Sequence, residues 1–112
     1  MSLNVFLEKI RNHLPVSFNE TIAIITEYYH YQPTEFSNGL LVNLAGTNEG
    51  SCKIFAFALM HQLSEPQTLT LFGDYYLDVL SEPNGSDHQN IRNFMRDGWQ
   101  GICFKGEALT AK

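Results

Sequence analysis

Leu3, Phe6, Leu7, Ile10 and Leu14 recur at the spacing of one helical face, with Glu8, Lys9, Arg11 and Asn12 opposite. Ser2 or Asn4 supplies an N-cap side chain, and Pro15 ends the run. A second helix is predicted from an N-cap at Asn19, burying Ile22, Ile25 and Tyr29. Its end blurs in Tyr28-Tyr29-His30-Tyr31, because an aromatic run suits a strand as well. Asn38-Gly39 lies between Glu35-Phe36-Ser37 and Leu40-Leu41-Val42 and predicts a tight hairpin, since that dipeptide readily takes positive backbone angles. Gly46 to Gly50 reads as loop.

From Ser51 to Leu63 the chain is apolar nearly all round, the pattern of a central helix covered on several sides. Ser64 with Gln67 forms a capping box, and Pro66 fits a first helical turn. Leu69, Phe72, Tyr76, Val79 and Leu80 then continue one stripe to Pro83. Gly73 interrupts it at a cost of about 1 kcal/mol relative to alanine, which predicts a bend or close packing against another backbone. Asn84-Gly85 is a turn, and Ser86 with Gln89 makes a second capping box for a helix that Gly98 ends. Ile102 and Phe104 alternate as in a half-buried strand, and Gly106 turns the chain so that Ala108-Leu109-Thr110 pairs back. The expected fold is a helix-rich α+β single domain over residues 1–112. It has about five helices and a small antiparallel sheet of three or four short strands, shared by the hairpin and the C-terminal strand.

A chain of 112 residues is long enough to bury one core unaided, and thirteen Tyr and Phe residues plus Trp99 give that core its bulk. Twelve acids against seven bases leave no basic patch: Lys53, Arg92, Arg96 and Lys105 are scattered, so nucleic acid is not an expected partner. No apolar run reaches the roughly 18 residues of a membrane-spanning helix, and no signal-peptide pattern opens the chain. Cys52 and Cys103 are too few for a disulfide scaffold, which leaves a reduced cytoplasm as the expected location. No cofactor is implied. Gly46-Thr47-Asn48-Glu49-Gly50 lacks the Gly-Lys-Ser/Thr of a phosphate loop, and His13, His30 and His61 lie in separate elements without metal-ligand spacing.

Polar chemistry concentrates in Asp87-His88-Gln89-Asn90-Ile91-Arg92-Asn93-Phe94-Met95. With Ser51 as N-cap, Cys52 would stand in a first helical turn, where the dipole and Lys53 both favour thiolate. His88, three residues before Ile91 and seven before Met95, would share their inward face near a helix start that keeps the imidazole neutral. Two readings follow. In one, Lys53, Asn90, Arg92 and Asn93 bind a protein or a small ligand. In the other, Cys52 is a nucleophile, His88 its base, and Asp87 or Asn90 orients the ring for acyl transfer or hydrolysis. Each residue also has a plain structural role: Cys52 as core filler, His88 bonded to a carbonyl, Arg92 in an ion pair, Trp99 as a core anchor.

Gly50-Ser51-Cys52-Lys53 with Phe55-Ala56-Phe57, Phe72-Gly73 with Tyr75-Tyr76, Asp87 to Met95, and Gly98-Trp99 with Gly101-Ile102 together resemble the HopJ type III effector family. The resemblance runs from the first helix to Leu109 and implies a small bacterial protein. It carries no established activity or catalytic residue with it. It also implies secretion into a host, whereas type III signals are flexible polar segments and here a patterned helix starts within the first few residues. The sequence leaves the oligomeric state open.

Overall fold

The computed structural model describes all 112 residues. α1 (Leu3–Arg11) is capped by Ser2, whose Oγ accepts from the Val5 amide, and it buries Phe6, Leu7 and Ile10. It closes before Pro15 in a Schellman turn: Leu14 N–H reaches the Lys9 carbonyl and His13 takes φ 59°. Leu14 is thereby carried off the buried face and left half exposed. α2 (Phe18–Tyr28) starts earlier than predicted. Ser17, not Asn19, is the N-cap, because Ser17 and Glu20 satisfy each other's exposed amides in a capping box. The aromatic run divides: Tyr28 ends the helix and β1 (Tyr29–Tyr31) follows at once.

β2 (Phe36–Asn38) and β3 (Leu41–Asn43) form the hairpin, with Gly39 (φ 62°) first in a two-residue loop. The turn is therefore Gly39-Leu40, and Asn38 belongs to the strand, where it is buried. α3 (Glu49–Met60) crosses the centre of the molecule. Phe55 meets Phe36, Phe72, Phe94 and Trp99, while Phe57 meets Phe6 and Tyr29, all at ring separations of 5.0–6.3 Å. These contacts join 23 buried apolar residues into one cluster.

The predicted stripe from Leu69 to Leu80 is two helices, α4 (Glu65–Thr70) and α5 (Asp74–Ser81), divided at Gly73. Gly73 holds φ 58°, and a Cβ there would lie 2.6 Å from the Phe18 amide nitrogen, so bend and close approach occur together. α6 (Gln89–Asp97) ends at Gly98 and runs into a 3-10 turn, Gly98–Gly101. Trp99 anchors it: the ring packs edge-on against Phe94 at 4.9 Å and Nε1 donates to the Leu63 carbonyl.

β4 (Ile102–Phe104) joins the hairpin in a three-stranded sheet ordered β3-β2-β4. β5 (Leu109–Ala111) does not pair back on β4. It pairs antiparallel with β1, because the strand-forming end of the aromatic run offers it a free edge and Leu109 a buried seat. The result is six helices over two small antiparallel sheets.

Candidate functional site

α3 and α6 begin alike. Their N-caps, Asn48 and His88, both hold left-handed backbone at φ 49° and 50°, and neither side chain caps its own helix. Asn and His are among the few residues besides glycine that tolerate this backbone. The first-turn N–H groups of both helices thus take no side-chain cap and leave the positive dipole end open. Both starts correct the sequence reading. Ser51 lies inside α3 rather than at its cap, and Ser86 lies outside α6, accepting on its carbonyl from the Gln89 side chain instead of forming a capping box.

Asn48 is drawn from capping by β3: its Nδ2 donates to Asn43 Oδ1 at 2.7 Å. The same Oδ1 accepts from Asn90 Nδ2 at 2.9 Å, and Asn43 Nδ2 returns a bond to Asn90 Oδ1 at 3.1 Å. One strand asparagine therefore brackets the starts of both helices. Asn38 on β2 extends the bracket by donating to the carbonyl and Oδ1 of Asn90 at 2.8 and 3.1 Å. Asn93 donates to the Asn38 carbonyl at 2.9 Å. Asn38, Asn43, Asn90 and Asn93 are buried, and Asn38 Oδ1 is left without a donor. Such networks are worth most when satisfied and cost most when broken.

Between the two helix starts lies a cavity of about 540 Å³. Phe18, Phe72 and Tyr75 give it an aromatic wall, and Asn48, Ser51, His88 and Gln89 a polar one. Phe18 stands edge-on to Tyr75 at 5.0 Å and also occupies the space a Cβ on residue 50 would need, 2.9 Å away, so Gly50 lets that ring lie over the start of α3. The His88 ring sits 5.4 Å from Tyr75, with Nε2 3.9 Å from Asp78 and 3.8 Å from Asp87. These carboxylates are beyond hydrogen-bond reach, and Asn90 is committed to its own network, so neither Asp87 nor Asn90 orients the ring.

The remaining candidates fall elsewhere. Cys52 is buried, is not among the cavity residues, and directs Sγ to the Thr34 carbonyl at 3.5 Å. Burial pushes its thiol up, outweighing the Thr34 and Tyr31 hydrogen bonds that act the other way. The expected first-turn thiolate is thus corrected: α3 begins at Glu49, and the Cys52 amide already bonds to the Asn48 carbonyl within the helix. Lys53 lies over the Tyr31 ring at 4.7 Å.

Arg92 is an internal brace rather than an open cation. Its guanidinium pairs with the Asp87 carboxylate at 2.7 Å and bonds the carbonyls of Asp87 and Glu82. That hydrogen bond holds the Asp87 carboxyl below its ordinary range. His88 is the N-cap of α6, not a member of its inward face, and Met95 is exposed. The sequence reading missed Asn43, which fell between the hairpin and the loop, and Asn48, inside the Gly46 to Gly50 loop; only partners 47 and 5 residues away give them their role. No group of three His, Cys, Asp or Glu side chains stands close enough to hold a metal ion, and no helix is long and apolar enough to cross a membrane.

The fold and its cavity define a small α+β domain in which two helix starts are bracketed over one hollow. The chain belongs to the HopJ type III effector protein family, whose family model matches residues 3–109. It is also similar to the crystal structure of unknown function protein VPA0580, with 48% sequence identity and a TM-score of 0.97 over 100% of this chain and 95% of that one. No curated protein matches it.

Proposed function

We propose that the protein binds a small molecule bearing a carboxylate or phosphate and a flat apolar group, held in the cavity between the starts of α3 and α6. The observation that supports this reading is a single hollow with two unlike walls, three aromatic rings facing Asn48, Ser51, His88 and Gln89. Ligand sites are concave hollows of several hundred cubic ångströms in which polar groups converge beside an apolar wall; here polar residues outnumber apolar ones in the lining, which suits a charged ligand. Uncapped first-turn amides favour an anionic group over a neutral one. The nearest carboxylate, Asp87, is matched by Arg92 at 2.7 Å and so opposes an anion less than a free acid would. Cys52, with its raised thiol outside the cavity, lends no support to a thiol enzyme.

Phenyl phosphate titrated into isotope-labelled protein tests the reading. Saturable amide shifts are expected at Gly50, Ser51, Gln89 and Asn90. His88→Asn keeps a residue that tolerates left-handed backbone but removes the imidazole, and should weaken binding roughly tenfold, the worth of one hydrogen bond to a charged group. Shifts absent from those amides, or spread evenly over the surface, would sink the proposal.

A further inference from the structure

Two Asn-Gly pairs occur in the chain, Asn38-Gly39 and Asn84-Gly85, and folding treats them oppositely. In such a pair the glycine nitrogen can attack the asparagine Cγ. The N–Cγ bond forms, the Cγ–Nδ2 bond breaks, Nδ2 leaves as ammonia with the glycine proton, and a succinimide remains. Water opens that ring at either carbonyl to give aspartate or isoaspartate. The reaction needs no other co-reactant, but the side chain must swing onto a nitrogen whose N–H has been released.

Asn38 meets neither condition. It is fully buried, its Nδ2 is held by Asn90 at 2.8 and 3.1 Å, and the Gly39 N–H donates to the Gly101 carbonyl at 2.9 Å. Asn84 and Gly85 are both exposed, and the Gly85 N–H is held by one turn bond, 3.0 Å to the Glu82 carbonyl. Arg92 steadies that turn. Nη1 donates to the Glu82 carbonyl at 2.8 Å and Nε to the Asp87 carbonyl at 2.6 Å, so one guanidinium ties both ends of the segment. It passes so close that a Cβ on residue 85 would lie 2.6 Å from Nη2.

We propose that Asn84 is a deamidation site, that the fold shields Asn38, and that the Arg92 clasp sets the rate at Asn84. Conversion adds a carboxylate, and as isoaspartate an extra backbone carbon, to the segment that delivers Ser86 and Asp87 to the cavity rim. The modification therefore reshapes that rim whether or not the proposed ligand binds there.

Folded protein is held in mildly alkaline buffer beside a urea-unfolded sample, and peptides are read by mass spectrometry for a one-dalton gain. Unfolded chains should convert both asparagines at similar rates. In the folded protein Asn84 should convert at least ~10-fold faster than Asn38, because exchange through local opening is far easier than through global unfolding. Arg92→Lys keeps the charge but not the fork. It should raise the Asn84 rate several-fold with the circular dichroism spectrum unchanged, and Arg92→Ala should raise it further. Equal rates at the two sites in folded protein overturn the shielding. An Asn84 rate unmoved by Arg92→Lys overturns the clasp.

Discussion

Asn90 and Asn93 stand out in the sequence because polar residues crowd there, and that crowding reads as a binding surface. In the fold both amides are turned inward to hold the hairpin against α6. Asn90→Ala removes the Oδ1 acceptor shared by Asn38 and Asn43 and the Nδ2 donor to Asn43, while Asn38 keeps its bond to the residue-90 carbonyl, so the change should cost roughly 2 kcal/mol in urea unfolding. His61 gives a second residue-scale prediction. Its Nε2 meets the Tyr29 hydroxyl at 2.5 Å, and burial first, then the Arg11 charge, hold its pKa below the ordinary histidine value. The unfolded chain then binds that proton more readily than the folded one. Stability should fall as pH drops below about 6.5 and continue falling until folded His61 is itself protonated. His61→Phe should flatten this part of the pH–stability profile. No sequence pattern announced the Tyr29–His61 pair, whose members lie 32 residues apart in different elements.

Local chemistry fixes most elements, and this part of the fold was legible. Ser2, the Ser64–Gln67 box, Pro66 and Gly98 all act where the sequence placed them. The misplaced boundaries share one cause: each cap-type side chain had a competing partner within a few residues. Asn48 gives its amide to Asn43, and Ser86 receives the Gln89 side chain on its backbone instead of offering its own. β5 was assigned to the wrong neighbour for a related reason, since strand pattern marks an edge without saying which edge it meets. Gly73 is where element and packing coincide. Gly73→Ala would force a side chain into positive φ and against the Phe18 backbone, so a loss of about 3 kcal/mol is expected in urea unfolding. Circular dichroism of the variant at low denaturant should still show the helices.

For the whole molecule, α3 is the helix on which the aromatic core centres, and its thiol reports on that arrangement. Cys52 sits within the cluster of 23 buried residues, whereas Cys103 is exposed on β4. Mass spectrometry after alkylation should show rapid labelling of Cys103, with Cys52 labelled only at the rate of global unfolding. Fast labelling of Cys52 in native buffer would contradict the burial of α3. The aromatic wall was only half legible in the sequence. Phe72 and Tyr75 belong to its quoted motifs, but Phe18 joins them from a helix more than fifty residues earlier.

Because Asn43 touches both Asn48 and Asn90, the gap between the two helix starts is gauged by amide lengths rather than by how tightly hydrocarbon fills the interior. A spacer of this kind is adjustable in steps of one methylene. Asn43→Gln would lengthen the strut from the strand while preserving its donors and acceptor, making the width of the hollow a property that a single codon can retune.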